Sequence, residues 1–182
     1  MIVVGIDLSL SSSGLTIIKN GKVLASGVIK SKPSGDLPIN ETKRIVKIAE
    51  ELVQKIDEFC PDQDPDIICI ENLAFMARNT SALTQLAGLA HLVRTLLVEF
   101  GWPYTLVAPS SLKKFITGSG KADKDQMIMA VYKNYGFESL NSDICDAYSL
   151  AVCGMALLGK PLKPLLKPQQ EVIDLLKKQL DK

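Results

Sequence analysis

Four acidic side chains stand where an unpaired carboxylate would be costly. Asp7 and Glu71 each end a short apolar run, IVVGID and DIICIE, and Asp143 and Asp146 open a mostly apolar segment. Residues three apart share one face of a helix, and acids are rarely buried unless they are paired or bind a metal. Ligands that are all oxygen favour Mg²⁺ or Mn²⁺, and two such ions about 3.5 to 4 Å apart promote phosphodiester cleavage. The four acids therefore predict a hydrolytic two-metal centre.

Each acid also has a simpler explanation. Asp143 and Asp146 could complement the dipole at the start of a helix. Asp7 could cap a turn, and Glu71 could be a surface acid beyond the end of a strand. Taken singly, none of the acids is specific for a metal site. Their joint placement, on two strands and one late helix, is what favours the metal centre.

The segments that carry these acids imply a sheet covered by helices. The continuous β-branched run at 2–7 is typical of a strand buried on both faces. The next segment, LTIIKNGKVLASGVIK, predicts a hairpin because Asn20-Gly21 suits a type I′ turn. We therefore expect three strands at the start of the sheet, with DIICIE and residues 104–107 as later strands.

Apolar residues at three- and four-residue spacing predict helices at 39–59 and 81–100. Two shorter helices are expected on either side of the turn-like residues 117–120. Ser142 is a suitable N-cap for the helix that carries the last two acids and ends near Leu158. All four acids therefore fall on predicted regular elements or at their ends.

Length and composition favour one hydrophobic core. The chain has 182 residues, of which 47% are hydrophobic, and we expect a domain at 1–159 with a Lys/Pro-containing C-terminal tail at 160–182 that has a possible short helix. No uncharged apolar run of about 18 residues occurs, and the first ten residues lack a basic segment. We therefore expect no membrane association and a cytoplasmic location. The four cysteines show no CxxC spacing and are predicted to be buried thiols rather than a zinc site or disulfides.

The net charge of +1 does not indicate a polyanionic partner, but the charges are unevenly distributed. Residues 36–66 contain nine acids and four bases. Residues 104–135 contain Asp123 and Asp125 against a set of five lysines, which are Lys113, Lys114, Lys121, Lys124 and Lys133. This polarity is what a one-sided nucleic-acid face requires. Solvated helix faces are the alternative explanation.

Four segments occur in an order and spacing that are specific in combination: GIDLSLSSSG (5–14), IENLAFMARN (70–79), GSGKADKDQM (118–127) and SDICDAYSLA (142–151). Together they resemble the RuvC-type Holliday junction resolvases, which have the ribonuclease-H-like fold. The resemblance implies an α/β fold with a mixed sheet, its first three strands antiparallel, flanked by helices. It also implies a homodimer whose two active sites nick symmetric strands of a four-way DNA junction, in a bacterial cell or a phage-infected host.

The resemblance also implies roles for individual residues. Asp7, Glu71, Asp143 and Asp146 match the metal ligands of the family, and Mg²⁺ with Mn²⁺ as a substitute is the implied cofactor, two ions per active site. Lys121 and Lys124 match basic residues near the scissile phosphate, where Lys121 would stabilise charge that develops in the transition state. A generic phosphate contact is the alternative for each lysine.

The segment after Glu71 resembles the family's junction-probing loop. Phe75, followed by Met76, would wedge against an unstacked base, and a core Phe is the alternative. Arg78 is a candidate phosphate contact and Asn79 a further DNA-binding residue. Two features depart from the family pattern. Leu8-Ser9 replaces the usual Pro-Gly, and the Phe75 segment is one residue longer, which bears on DNA positioning and cleavage-sequence preference.

The predicted helix at 81–100 carries more apolar residues than one buried stripe requires. The surplus is a candidate dimer face. Gly88 lies in its middle, where it costs about 1 kcal/mol relative to Ala, so a close helix crossing is expected there. His91, the single histidine, lies on the same helix and is interpreted as an interface or surface residue.

Three other functions remain open at this stage. The actin-like ATPases share a related fold and a loop like GIDLSLSSSG, but they need two such domains and 182 residues supply one. A broader nuclease for flaps and forks is the second alternative, and a non-catalytic junction-binding module is the third. For the nuclease we expect in-line attack by water that leaves a 5′-phosphate and a 3′-hydroxyl, without a covalent enzyme intermediate.

Overall fold

A mixed five-stranded sheet lies at the centre of the computed structural model, which describes residues 1–33, 35, 37–73 and 80–180. The first three strands are antiparallel and the last two run parallel to the first, giving the order β3-β2-β1-β4-β5. The strands are β1 (Ile2–Asp7), β2 (Ser12–Lys19), β3 (Lys22–Lys30), β4 (Ile67–Glu71) and β5 (Tyr104–Val107). This topology confirms the predicted α/β mixed sheet.

Six helices occur among the described residues: α1 (Pro38–Phe59), α2 (Thr80–Glu99), α3 (Pro109–Thr117), α4 (Lys124–Tyr135), α5 (Ser142–Leu157) and α6 (Lys167–Leu180). Helices α1 and α2 cover one face of the sheet, against Ile2, Val4 and Ile6 of β1. Helix α5 covers the other face, with α3, α4 and α6 packed around it. Because successive side chains of a strand point to opposite faces, helices on both faces explain why β1 is apolar throughout.

Local sequence explains most element boundaries. Asn20 and Gly21 both have positive φ, 51° and 82°, which confirms the predicted type I′ hairpin between β2 and β3. The prediction that Ser142 caps α5 was wrong by one residue. Asn141 is the N-cap, because its side-chain oxygen accepts hydrogen bonds from the backbone amides of Asp143 and Ile144 at 2.9 and 3.2 Å.

Helix α5 approaches the sheet until the two backbones touch. A Cβ atom on Gly5 would lie 1.9 Å from the carbonyl oxygen of Ala147, and one on Gly14 would lie 2.1 Å from that of Asp143. No side chain fits at either distance. Glycine at these two positions therefore fixes how close α5 lies to β1 and β2.

The predicted tail at 160–182 contains α6, whose inner face joins the core. Val172, Ile173 and Leu176 are buried there. Gln169 donates a hydrogen bond to the carbonyl of Phe115 at 3.0 Å, which attaches α6 to α3. The four cysteines, Cys60, Cys69, Cys145 and Cys153, are buried with free thiols, as predicted.

Helix α2 is more apolar than its contacts within the chain require. Residues Ser81–Glu99 are long and apolar enough to cross a membrane by length and composition alone, with a mean hydropathy of 1.3, and only 22% of that window is buried. Leu89, Val93 and Leu97 pack into the core beside α1. The outward face includes Val98, which is 66% exposed, and Gly88, above which the nearest atom is Ile45 Cδ1 at 3.7 Å from an added Cβ.

Candidate active site

Two of the four acids come together at the ends of adjacent parallel strands. Asp7 is the last residue of β1 and Glu71 the last of β4, and the register pairs the preceding residues, Ile6 with Ile70. Both side chains are half-buried. The Asp7 carboxyl donates a hydrogen bond to the Glu71 carboxylate. The two strand ends therefore hold a carboxyl pair that shares one proton.

Helix α5 brings the other two acids to the same place. In the β-ladder Asp7 pairs with Gly14, and the carbonyl of Asp143 lies directly over Gly14. The first turn of α5 is thus seated above the end of β1. Asp143 and Asp146 both act electrostatically on Asp7, so the four acids predicted from sequence surround one cleft.

The pKa values show an excess of negative charge in this cleft. Burial, followed by the charges of Glu71 and Asp146, raises the pKa of Asp7 to about 9. Burial and the charge of Glu71 raise the pKa of Asp146 to about 6. Burial also raises the pKa of Glu71, although its hydrogen bond with Asp7 and two nearby lysines oppose the rise. A positive charge in the cleft would therefore be stabilised.

The donor set fits a divalent metal ion. It consists only of carboxylate oxygens, the ligands that Mg²⁺ and Mn²⁺ prefer, and burial together with neighbouring acids raises the pKa of Asp7 and of Asp146. Across residues 1–33, 35, 37–73 and 80–180, no three side chains of His, Cys, Asp or Glu are close enough to clasp one ion as they stand. The electrostatic coupling nevertheless places four carboxylates around the cleft, because all four act on Asp7 or on each other.

Two lysines face the carboxylates. Lys113 of α3 and Lys124 of α4 both lower the pKa of Glu71 and of Asp146. Lys124 Nζ also donates to Ser142 Oγ at 3.4 Å, at the start of α5. These are the cations best placed to contact a phosphate held at the four acids.

Two further lysines of the predicted basic set, Lys121 and Lys114, do not face the carboxylates in this way. Lys121 is exposed in the turn between α3 and α4, and its charge is not among the causes of the carboxylate pKa shifts. Lys114 forms a salt bridge of 2.7 Å with Glu171 of α6. Sequence analysis did not single out Lys113 over Lys114. Helical periodicity separates the two, but which one faces the acids depends on where α6 packs.

Four residues of the predicted junction-probing loop lie outside the described residues. They are Phe75, Met76, Arg78 and Asn79. Their predicted contacts with DNA remain predictions. Glu71 is described, so the strand end that leads into this loop is defined.

A sequence model described as crossover junction endodeoxyribonuclease RuvC matches residues 3–154. The chain belongs to the RuvC family. The RuvC match contains the four carboxylates together with Lys113 and Lys124, and it ends within α5, so α6 lies beyond it. The activity shared by this family is that of an endodeoxyribonuclease, which agrees with the function predicted from the acids.

Several bacterial RuvC proteins are similar over most of the chain. The crossover junction endodeoxyribonuclease RuvC of Corynebacterium diphtheriae is 31% identical over 156 residues, which are 82% of this chain and 90% of that protein. The RuvC protein of Chlorobium chlorochromatii is 32% identical over 159 residues, covering 84% and 78%. Because the identity of about 30% extends over most of both chains, the assignment to the RuvC family does not depend on single motifs.

Solved RuvC structures have the same fold. Thermus thermophilus RuvC superposes with a TM-score of 0.68 at 23% identity, over 88% of this chain and 98% of that one. The structure of T. thermophilus RuvC in complex with Holliday junction substrate gives a TM-score of 0.70 at 22% identity, over 88% and 97%. These similarities confirm the ribonuclease-H-like RuvC fold that the four sequence segments predicted.

Proposed function

We propose that this chain is a metal-dependent endonuclease that resolves four-way (Holliday) junctions by paired symmetric nicks. One observation carries the proposal: four carboxylates converge at the end of β1, where burial and the neighbouring acids raise the pKa of Asp7 to about 9. Membership of the RuvC family supports the reaction. The Holliday junction bound to T. thermophilus RuvC supports the substrate.

In this proposal Asp7, Glu71, Asp143 and Asp146 hold two Mg²⁺ ions, with Mn²⁺ as a substitute. Such ions, when bound, activate water and stabilise the leaving oxygen of an in-line displacement. The ends of β1 and β4 and the first turn of α5 hold the backbone positions of the four acids, and their side chains would close onto the ions. The products would be a 5′-phosphate and a 3′-hydroxyl.

The lysines act on the phosphate that is cleaved. Lys113 and Lys124 already balance part of the negative charge on Glu71 and Asp146, so a phosphate brought to the cleft would meet both cations. We assign them to hold the scissile phosphate and to stabilise the charge that develops on it. Lys121 is exposed in the turn between α3 and α4, and we assign it the same role of stabilising charge on the phosphate.

Symmetric cleavage requires two copies of the active site, and we propose that the chain is a homodimer. The outward face of α2 supports this, because it is apolar and only partly covered within the chain. Gly88 is exposed on α2, and its lack of a side chain would allow a second α2 helix to approach closely. The relatives are bacterial, and we propose cytoplasmic DNA as the substrate.

The test is cleavage of a labelled four-way junction beside duplex, flap and fork DNA of the same length, with Mg²⁺ or EDTA. We expect paired symmetric nicks in the junction that are lost with EDTA and in Asp7→Asn. Asp57→Asn is the matched control, because Asp57 is an exposed acid on α1 away from the cleft. Equal cutting of flaps, forks and junctions would replace the proposal with a broader branched-DNA nuclease. Junction binding without any metal-dependent cutting would refute it.

A further inference from the structure

A second cluster of charge, separate from the carboxylate cleft, lies between the end of β3 and the first turns of α1. We define the β3–α1 cleft by its lining residues, which are Lys30, Ser31, Lys32, Lys43, Arg44, Lys47, Ile48 and Glu51. Its volume is about 300 Å³, and it contains five bases and one acid. The distribution of charge along the sequence did not reveal this cluster, because residues 36–66 together contain more acids than bases. Only the fold brings Lys30 and Lys32 beside the bases of α1.

The β3–α1 cleft lies at the same end of the sheet as Asp7. Asp7 pairs with Gly14 of β2, and Ser12 of the same strand end pairs with Lys30. Two strand spacings separate Asp7 from Lys30, a lateral distance of about 10 Å. A nucleic-acid strand with one phosphate in the carboxylate cleft therefore reaches the β3–α1 cleft within a few nucleotides.

Arg44 connects the β3–α1 cleft to the loop that follows Asp7. Its Nη2 donates to the carbonyl oxygen of Leu10, in the loop that follows Asp7. Its Nε donates to Ser31 Oγ at 2.9 Å. The guanidinium is thus held in place between the loop and the end of β3, and the cleft has a fixed polar wall.

Among the described residues, no base of the β3–α1 cleft forms a salt bridge, although Glu51 also lines the cleft. The salt bridges found in the described part of the chain involve Lys55 with Glu58 and Lys114 with Glu171, and none involves a base of the cleft. Helix α1 is itself polarised. Its first half holds three bases and one acid (Lys43, Arg44, Lys47 and Glu41), and its second half holds four acids and one base (Glu50, Glu51, Asp57, Glu58 and Lys55). A polyanion would be attracted only to the end of α1 that lies beside the active site.

We propose that the β3–α1 cleft binds the phosphodiester backbone of the DNA arm that flanks the scissile phosphate. The inference depends on the proposed junction nuclease function. Since consecutive phosphates of one strand lie roughly 3.4 Å apart along the helix axis, the contacts fall roughly three to six nucleotides from the scissile phosphate. The cleft would then fix the direction in which the arm leaves the active site.

The test removes three charges from the cleft and the same number elsewhere. The cleft variant is Lys30→Gln/Lys43→Gln/Lys47→Gln, and the matched control is Lys19→Gln/Lys22→Gln/Lys55→Gln, at the opposite end of the sheet and of α1. Arg44 is left intact because it also supports the Leu10 loop. Junction affinity is measured by fluorescence anisotropy in Ca²⁺ over a range of salt concentrations.

We expect the cleft variant to lose about tenfold or more in junction affinity, and its salt slope to fall by roughly 0.9 for each phosphate contact removed. The control should keep the wild-type slope. Uncharged methylphosphonates placed roughly three to six nucleotides from the scissile phosphate should weaken wild type and leave the cleft variant unchanged. Equal salt slopes in the two variants, or an equal effect of methylphosphonates on the cleft variant and wild type, would overturn the inference.

The proposed nuclease function is tested separately in the same samples. The control variant Lys19→Gln/Lys22→Gln/Lys55→Gln, once saturated with junction, should nick it at the wild-type single-turnover rate in Mg²⁺. If wild type fails to nick the junction, the proposed function fails. If wild type nicks the junction and the two triple variants bind it equally, only the inference about the β3–α1 cleft fails.

Discussion

The ionised Asp7 carboxylate is proposed to bind metal, but burying its negative charge lowers the stability of the folded protein. Its pKa of about 9 lies far above the ordinary value of 3.8, because burial and the charges of Glu71 and Asp146 disfavour ionisation. A raised pKa means that the folded state holds the proton more tightly than the unfolded state does. The stability that this proton contributes is complete below about pH 4 and is lost as the pH rises through about 9.

We therefore expect Asp7→Asn to stabilise the metal-free protein while it abolishes cleavage. In EDTA at pH 9 the variant should melt at least about 2 °C above wild type, because an amide carries no charge to bury. The difference in melting temperature between the variant and wild type should shrink toward pH 5, where Asp7 is protonated in the folded protein. In saturating Mg²⁺ the wild type should gain more stability than the variant. A variant that melts below wild type at pH 9 in EDTA would contradict this reading.

Lys113 and Lys114 are adjacent in sequence and are expected to differ in function. Lys113 acts on Glu71 and Asp146, whereas Lys114 pairs with Glu171. Lys113→Ala and Lys124→Ala should lower the single-turnover cleavage rate by about 10²-fold each, a typical effect of removing one charge-stabilising donor. Lys114→Ala should stay within about threefold of wild type, since an exposed ion pair contributes little. Similar losses in all three variants would show that the lysines contribute only general attraction for DNA.

The sequence singled out the four acids as candidate ligands, and the structure places them near one another, but the sequence did not distinguish among the lysines. Asp7 and Glu71 were candidates because each ends a short apolar strand, and their joint placement with Asp143 and Asp146 favoured a metal site over the simpler explanation of each acid. The contribution of Lys113 depends on the packing of α3 between the cleft and α6, which no local pattern of residues encodes.

At the scale of elements, the site depends on how α5 lies against the sheet. Gly5 and Gly14 let the helix backbone touch the backbones of β1 and β2, which brings the turn with Asp143 and Asp146 over the end of β1. A methyl group at either position would push the helix outward. The separation between the two pairs of acids is therefore set by residues that carry no functional group.

We expect Gly14→Ala to lower cleavage and stability together. Its Cβ would lie 2.1 Å from the carbonyl oxygen of Asp143, so α5 must shift. The melting temperature should fall by about 4 °C or more and the cleavage rate by about tenfold or more. Gly27→Ala is the control, because Gly27 lies in the neighbouring strand with no atom within 4 Å of an added Cβ. The prediction fails if Gly14→Ala cleaves and melts like Gly27→Ala.

Element boundaries were largely predictable and their packing was not. The hairpin at Asn20-Gly21 and the amphipathic pattern of α1 are local signals, and both predictions were confirmed. Residues 160–182 showed a possible short helix, but nothing in that stretch indicated that Val172 and Leu176 would be buried beneath α3 and α5. An amphipathic helix specifies that it needs a partner surface and does not specify which one.

At the scale of the whole molecule, the notable feature is that most of α2 is apolar and yet exposed within the described chain. Its inner residues complete the core with α1, and its outer face stays apolar. Exposed apolar area of this kind is characteristic of protein interfaces. A second copy of the chain, related by a twofold axis, would cover it and provide the second active site.

We expect Gly88→Arg to convert a dimer to a monomer in sedimentation velocity. Within one chain an added Cβ atom at position 88 makes only an ordinary contact, 3.7 Å from Ile45 Cδ1, so we expect the exposed position to accept a side chain and the fold to persist. Across a close helix crossing it would be excluded. Gln54→Arg, at an exposed position of α1, should leave the dimer intact. A dimer that is unchanged in Gly88→Arg would remove α2 as the interface.

The backbone contact between α5 and the first two strands also limits protein design. Copying the four acids into another scaffold would not reproduce this centre, because the spacing between them is set by two positions that must lack a side chain. The smallest unit that can be transplanted is the β1–β2 hairpin together with α5 and the end of β4. To change the cleavage activity of this centre, a designer should keep that unit unchanged and vary the loops around it.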